Sequence, residues 1–555
     1  MRGARRICLH SDGLAFQTVR QAIARFTRRE DGTLVYFSLM LFVMMMMMGG
    51  FAVDLMRYET IRTSLQNTLD RSTLAAASLT QRLNSTTVVN DYFAKAGLSA
   101  YLTAITVREG FNFREVAATA VADTNPIFMH MIGINSFDAS GRSVAEQRIT
   151  NVEIALVLDI SGSMIGTKLT NLKSAANEFV NTVLSSDGDD RISIALVPYN
   201  GQVNLGALLR AKYNATDDPG VANVNCIDLP SSVYSSTDMS RTLAMPMTAH
   251  ADTYSSTSQS TSYISATDSS SATPTATNRW CPPSSVNIVR LPSANIATLQ
   301  SQINAMTAVG ATSINAGMKW GLALLDPSAR TMYSQFISAN QIPAIYEGRP
   351  YDYTDPEAMK VIVLMTDGEH FAEERVNTAY KSGVSPIWRS SGDSNYSIRF
   401  TSGRPSTAGT NEYWVPHLGT WRSTPWTNNS TAAVAQTWPQ VWSGMRLSYV
   451  AWQFYARALG TTSSTRTSTY NSQMLLFRTQ TSTGNMDTQL RTMCGFARTN
   501  GVTVYGIAVE APAAGQTLIS GCATSTAHYF NATSAQVRTA FRAIANNISQ
   551  LRLTQ

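Results

Sequence analysis

Five oxygen-bearing side chains stand out for what they can do together. Asp159, Ser161 and Ser163 occupy the segment Asp159-Ile-Ser-Gly-Ser163, directly after an apolar run at residues 153–158. Thr312 sits in Gly310-Ala-Thr-Ser-Ile-Asn-Ala-Gly317, ahead of a helical pattern, and Asp367 closes the run Val361-Ile-Val-Leu-Met-Thr-Asp367 and precedes Gly368. These donors are all hard oxygens, with no imidazole or thiolate among them, which selects Mg²⁺, Ca²⁺ or Mn²⁺ over zinc or copper. Mg²⁺ takes six oxygens and commonly keeps only one or two carboxylates with water. Such a site leaves a coordination position for an acidic group from a partner.

Other chemistry is poorly supported. Gly162-Ser-Met-Ile-Gly166-Thr167-Lys168 is one residue short of a phosphate-binding loop, and its Thr precedes its Lys. Around Glu369 and His370 neither zinc-protease helix motif is present, no G-x-S-x-G elbow occurs, and the six histidines are scattered. The sequence therefore predicts a protein without catalytic residues, binding partners rather than turning over a substrate.

The elements that must position the five donors alternate between two periodicities. Residues 153–159, 191–198, 360–367 and 502–509 are short apolar runs suited to strands buried on both faces. Residues 168–184, 293–306, 313–325, 488–498 and 534–551 read as helices. That alternation predicts an α/β fold, a doubly wound, mostly parallel Rossmann-type sheet over residues 151–555, with ligands at the carboxyl ends of its strands. Two insertions interrupt it, at about 207–290 and 371–445. Residues 231–280 hold 24 Ser or Thr, so little burial is expected there. Seven of the nine tryptophans lie between Trp388 and Trp452, which predicts an irregular subdomain packed on aromatic rings, the alternative being a stacking surface for sugar or peptide.

Charge and hydropathy place the chain. The net charge of +6 is concentrated at the start: residues 1–32 carry seven arginines against three acids. The remainder has no basic surface for nucleic acid. Residues 32–53 are free of charge between Asp31 and Asp54, long enough for a helix to cross a bilayer of about 30 Å. Arginines before the span put residues 1–31 in the cytoplasm and everything after it outside. Residues 54–150 begin with Ile61, Leu65 and Leu69 at helical spacing, then turn β-like at 111–116 and 121–134. A membrane helix running into a small α+β region is the layout of a pilin or pseudopilin. Cys8 falls on the reducing side, whereas Cys226, Cys281, Cys494 and Cys522 are exported. Of three connectivities, Cys226–Cys281 and Cys494–Cys522 are favoured, because each brackets one insertion or loop.

Asp159-Ile-Ser-Gly-Ser163, the Gly310–Gly317 segment and Leu364-Met-Thr-Asp-Gly368 resemble the metal-ion-dependent adhesion site of von Willebrand factor type A domains. The resemblance implies a metal held by Asp159, Ser161, Ser163, Thr312 and Asp367, in a domain enlarged by its insertions. The segment from Gly32 to Ala77, with Val224-Asn-Cys-Ile-Asp-Leu-Pro230 and the ending from Cys494, is similar to TadG-type proteins of Flp/Tad pilus assembly. This second resemblance implies a bacterial envelope protein, single-pass in the inner membrane, whose exported domain serves pilus or secretion-machine assembly by binding pilus or pseudopilin components. A surface adhesin using the same metal site for host or matrix attachment is the rival expectation.

Overall fold

One helix, α1 (Asp31–Ala77), runs for 47 residues without a proline, close to 70 Å at 1.5 Å per residue. The computed structural model describes residues 31–78, 81–109, 113–148, 151–185, 191–254, 273–429 and 432–549. The expected cytoplasmic segment, Cys8 and part of the Ser/Thr-rich stretch therefore lie outside the described residues. Contacts divide the chain into two units, Met1–Arg148 and Ile149–Gln555.

In the first unit, residues Thr33–Ala77 form a helix long and apolar enough to cross a membrane. Further along α1, Leu65, Leu69, Ala76 and Ala77 turn inward and are buried. They pack with α2 (Ser85–Lys95) and an antiparallel meander of β1 (Leu102–Glu109), β2 (Phe113–Thr124) and β3 (Phe137–Arg148). The strand expected over 121–134 stops at Thr124. Pro126 cannot donate to a ladder, and the Asp54 carboxylate accepts from the backbone N–H of Ile127, Phe128 and Met129 at 2.9, 2.7 and 2.8 Å. Those three bonds hold the segment as a turn.

The second unit is built on β4 (Asn151–Asp159), α3 (Thr167–Leu184), β5 (Ile192–Tyr199), β6 (Arg290–Ser293), α4 (Ile296–Ala305), α5 (Ile314–Leu325) and β7 (Ala358–Thr366). After the second insertion come α6 (Thr483–Thr499), β8 (Thr503–Val509), α7 (Ala513–Cys522), β9 (Tyr529–Ala532) and α8 (Val537–Ser549). The six strands lie in the order β9-β8-β7-β4-β5-β6. All pairings are parallel except the edge pair β5–β6. Side chains alternate across β4: Ala155 and Val157 join α5, α6 and α7 in one core, and Ile154, Leu156 and Leu158 join α3, α4 and α8 in the other. Burial on both faces explains why this strand reads as a continuous apolar run.

The other sheets are antiparallel apart from one two-residue pair, so the whole chain is mixed α/β. The Trp-rich insertion carries a five-stranded antiparallel sheet, and its rings pack inward. Trp438 stacks on Trp442 at 5.1 Å, and the fully buried Trp442 donates to Tyr380 O at 2.7 Å. The Ser/Thr-rich stretch buries more than expected: Val233, Tyr234, Met239 and Met245 all enter the main core. Its few apolar residues are aimed inward, which average composition does not reveal. Two disulfides, Cys226–Cys281 and Cys494–Cys522, have Cα separations of 5.9 and 5.0 Å.

Candidate metal centre

The sheet delivers two aspartates to adjacent strand ends. Central β4 pairs with β7 through Leu158 and Met365, so Asp159 and Asp367 leave neighbouring strands at the same edge. Ser161 is extended (φ −65°, ψ 170°) and leads into a short 3-10 turn, Gly162–Met164. Gly166 then takes φ 91°, a left-handed value open to glycine, and α3 begins.

Hydrogen bonds tie these turns together. Asp159 Oδ1 accepts from Ser161 N at 2.8 Å, and Oδ2 accepts from Thr366 Oγ1 at 2.7 Å. Ser161 Oγ lies 3.0 Å from Ser163 Oγ, which donates to Asp367 Oδ1 at 2.7 Å. Gly162 N donates to Gly310 O at 2.9 Å, bringing the third turn alongside. Thr312 Oγ1 is 3.9 Å from where a Cβ on Gly368 would stand, and its carbonyl accepts from Phe371 N at 3.0 Å. Four of the five sequence-derived residues thus form one continuous hydrogen-bonded set, and Thr312 borders it.

Asp159 is fully buried. Burial, and next the charge of Asp367, push its carboxyl up to about 6, against the opposing hydrogen bonds from Ser161 and Thr366. A positive charge between the two carboxylates relieves that repulsion. One already stands at the edge: Lys168 Nζ donates to Asp367 Oδ2 at 2.9 Å and lies 4.0 Å from Glu510. The donor set, two carboxylates and hydroxyls, fits a hard divalent cation. Among the described residues no group of three or more His, Cys, Asp or Glu is placed to hold a metal.

Lys168 and Thr366 were not singled out from sequence as members of this set. In the sequence Lys168 reads as one more solvated helix lysine, and Thr366 is hidden as a β-branched strand residue. His370 is turned away to a structural task, its Nε2 accepting from Asn315 N at 3.1 Å and its Nδ1 paired with Asp487 at 2.7 Å. Beside the set lies a hollow of about 310 Å³, bounded by Tyr254, Arg279, Trp280, Gly310 and Phe371.

Residues 32–79 match a family model. Its description is "Putative Flp pilus-assembly TadE/G-like". The matched segment covers all of α1 but Asp31, including the apolar run and the buried Leu65, Leu69, Ala76 and Ala77. No curated protein matches the chain. Among solved structures, the vWF domain of the type V pili tip protein Mfa5 from Porphyromonas gingivalis is 16% identical, with 72% of this chain and 96% of that chain covered and a TM-score of 0.30. The pilus adhesin RrgA from Streptococcus pneumoniae is 10% identical, covering 80% and 50%, with a TM-score of 0.30. The pilus adhesin SpaC from Lactobacillus rhamnosus GG is 9% identical, covering 80% of this chain and 34% of that chain, with a TM-score of 0.29.

Proposed function

We propose that this chain is an inner-membrane-anchored component of Flp/Tad-type pilus or secretion-machine assembly. Its exported domain, of doubly wound von Willebrand factor A type, binds an acidic group of a partner protein through a divalent cation. Asp159 and Asp367 supply negative charge; Ser161, Ser163 and Thr312 supply neutral oxygens. A bound divalent cation, Mg²⁺ or else Ca²⁺ or Mn²⁺, would be held by these residues and would supply Lewis acidity toward a partner carboxylate. No bond is made or broken, so the role is non-enzymatic. The N-terminus is cytoplasmic and the bulk of the chain lies in the periplasm or envelope. The observation that carries this reading is the hydrogen-bonded convergence of the Asp159, Ser161, Ser163 and Asp367 side chains, with Thr312 beside them. The TadE/G-like match over residues 32–79 supports the pilus-related part.

In-cell crosslinking of the full chain, followed by identification of captured envelope proteins, tests the proposal. Pilus-assembly proteins are expected in the wild type with Mg²⁺, and are expected to be lost both with chelator and in Asp367→Asn. Equal capture under all three conditions contradicts it.

A further inference from the structure

The turn between β2 and β3 is unusually apolar for a connection. Residues 124–137 contain no Asp, Glu, Lys or Arg, and Ile127, Met131 and Ile132 are 59%, 80% and 49% exposed. Most loops offer polar groups to water; this one offers Ile and Met. Its position is fixed by α1. The Asp54 carboxylate binds the N–H groups of Ile127, Phe128 and Met129, and the Phe128 ring lies over Gly50, within 2.5 Å of where a Cβ would stand. Glycine at position 50 is what lets the ring seat there.

The height of that contact along α1 decides what the loop meets. Residues 33–53 span about 32 Å at 1.5 Å per residue, which matches a hydrocarbon core of about 30 Å. Asp54 then stands at the outer boundary, and Gly50 lies about 6 Å deeper. A bilayer that covers the span cannot stop short of a loop resting on Gly50. On α1 itself Val53 is exposed within the span, and Leu55 and Met56 are exposed just beyond Asp54.

We infer that the loop of residues 125–134 is a second membrane contact, inserting Ile127, Met131 and Ile132 into the outer interfacial layer beside the end of α1. It rests on the reading of residues 32–53 as a span. The loop gives a single helix a two-point seat, which limits tilt and fixes the β1–β3 meander against the bilayer surface.

The test is depth measurement by spin labelling of the full chain in lipid nanodiscs. Cys8→Ser removes the one cysteine outside the two disulfides, and labels are placed at Met131→Cys, at Ile132→Cys as a second exposed site, at Val43→Cys inside the span and at Arg108→Cys on β1. Positions 131 and 132 are expected to fall between 43 and 108, with a ratio of oxygen to water-soluble nickel-chelate collisions several-fold above that at 108 and below that at 43. Chelate access at 131 and 132 equal to that at 108, with 43 protected, overturns the loop contact and leaves the span standing. Protection from both reagents means burial against protein and also overturns it. Chelate access at 43 overturns the span and the loop together.

Discussion

Ser163 Oγ donates to Asp367 Oδ1 at 2.7 Å, joining the turn after β4 to the turn after β7 across 204 positions of sequence. Ser163 is otherwise exposed, and its hydroxyl has only this bond and the 3.0 Å contact with Ser161 Oγ. Ser163→Ala is expected to lower apo stability by about 1 kcal/mol, the usual net worth of such a bond. Losing one neutral ligand is expected to weaken divalent-cation affinity about tenfold, or about 1.4 kcal/mol. Chemical denaturation and Mn²⁺ titration of wild type and variant check the two effects separately.

Lys168 competes for the same carboxylate. Its ammonium sits on Asp367 Oδ2, so an incoming cation must displace it or share the group. Lys168→Met is expected to raise Mg²⁺ affinity by roughly tenfold and to lower the melting temperature of the metal-free protein, since a charge-assisted hydrogen bond is lost. Calorimetric titration with Mg²⁺ measures the first, and a thermal scan in chelator the second. Unchanged affinity contradicts competition.

Much of the six-stranded core was legible because its strands are buried on both faces. Residues 360–367 read as a strand from Val, Ile and Leu alone, and β7 occupies Ala358–Thr366. The edge strand β6 was not legible: four residues, Arg-Leu-Pro-Ser, with a proline, carry no period. Asp159, Ser161, Ser163 and Asp367 were visible as a set because each ends or follows a readable strand. Lys168 escaped because one lysine on a helix is ordinarily a solvated residue; only the fold shows it reaching Asp367. The loop at 125–134 was misread as strand because β-branched residues favour both strands and apolar contacts, and the deciding partner, Asp54, lies more than seventy positions away.

Close approach of α5 to the sheet requires glycine at Gly317 and Gly321, and Thr312 hangs on the start of that helix. A Cβ at Gly317 would lie 2.7 Å from Tyr199 Cδ1 and 3.0 Å from Val157 Cγ1. Gly317→Ala gains up to about 1 kcal/mol of helix propensity but forces overpacking that costs about 1–3 kcal/mol. Net destabilisation is expected, with weaker cation binding as α5 shifts. Gly495→Ala, where nothing lies within 4 Å of the new methyl, is expected to stabilise. Urea midpoints of the two variants decide.

His250 gives the fold an acid-sensitive point. It is buried, and burial, followed by the nearby Arg279 charge, pushes its imidazole down to about 4. The unfolded chain takes up that proton near pH 6.5, well before the native state does. Stability from this residue is therefore present above about pH 6.5 and is lost progressively as pH falls through 6.5 toward 4. His250→Gln is expected to flatten the decline in urea midpoint across that window. An identical decline in variant and wild type assigns the acid sensitivity elsewhere.

The most direct measurement is anomalous diffraction from crystals of the protein soaked in Mn²⁺. The expected result is one strong peak in bonding contact with the oxygens of Ser161, Ser163 and Asp367, with Lys168 displaced from the Asp367 carboxylate. No peak at those strand ends at saturating Mn²⁺, with the Lys168 ammonium still bonded to Asp367, contradicts the metal-dependent account.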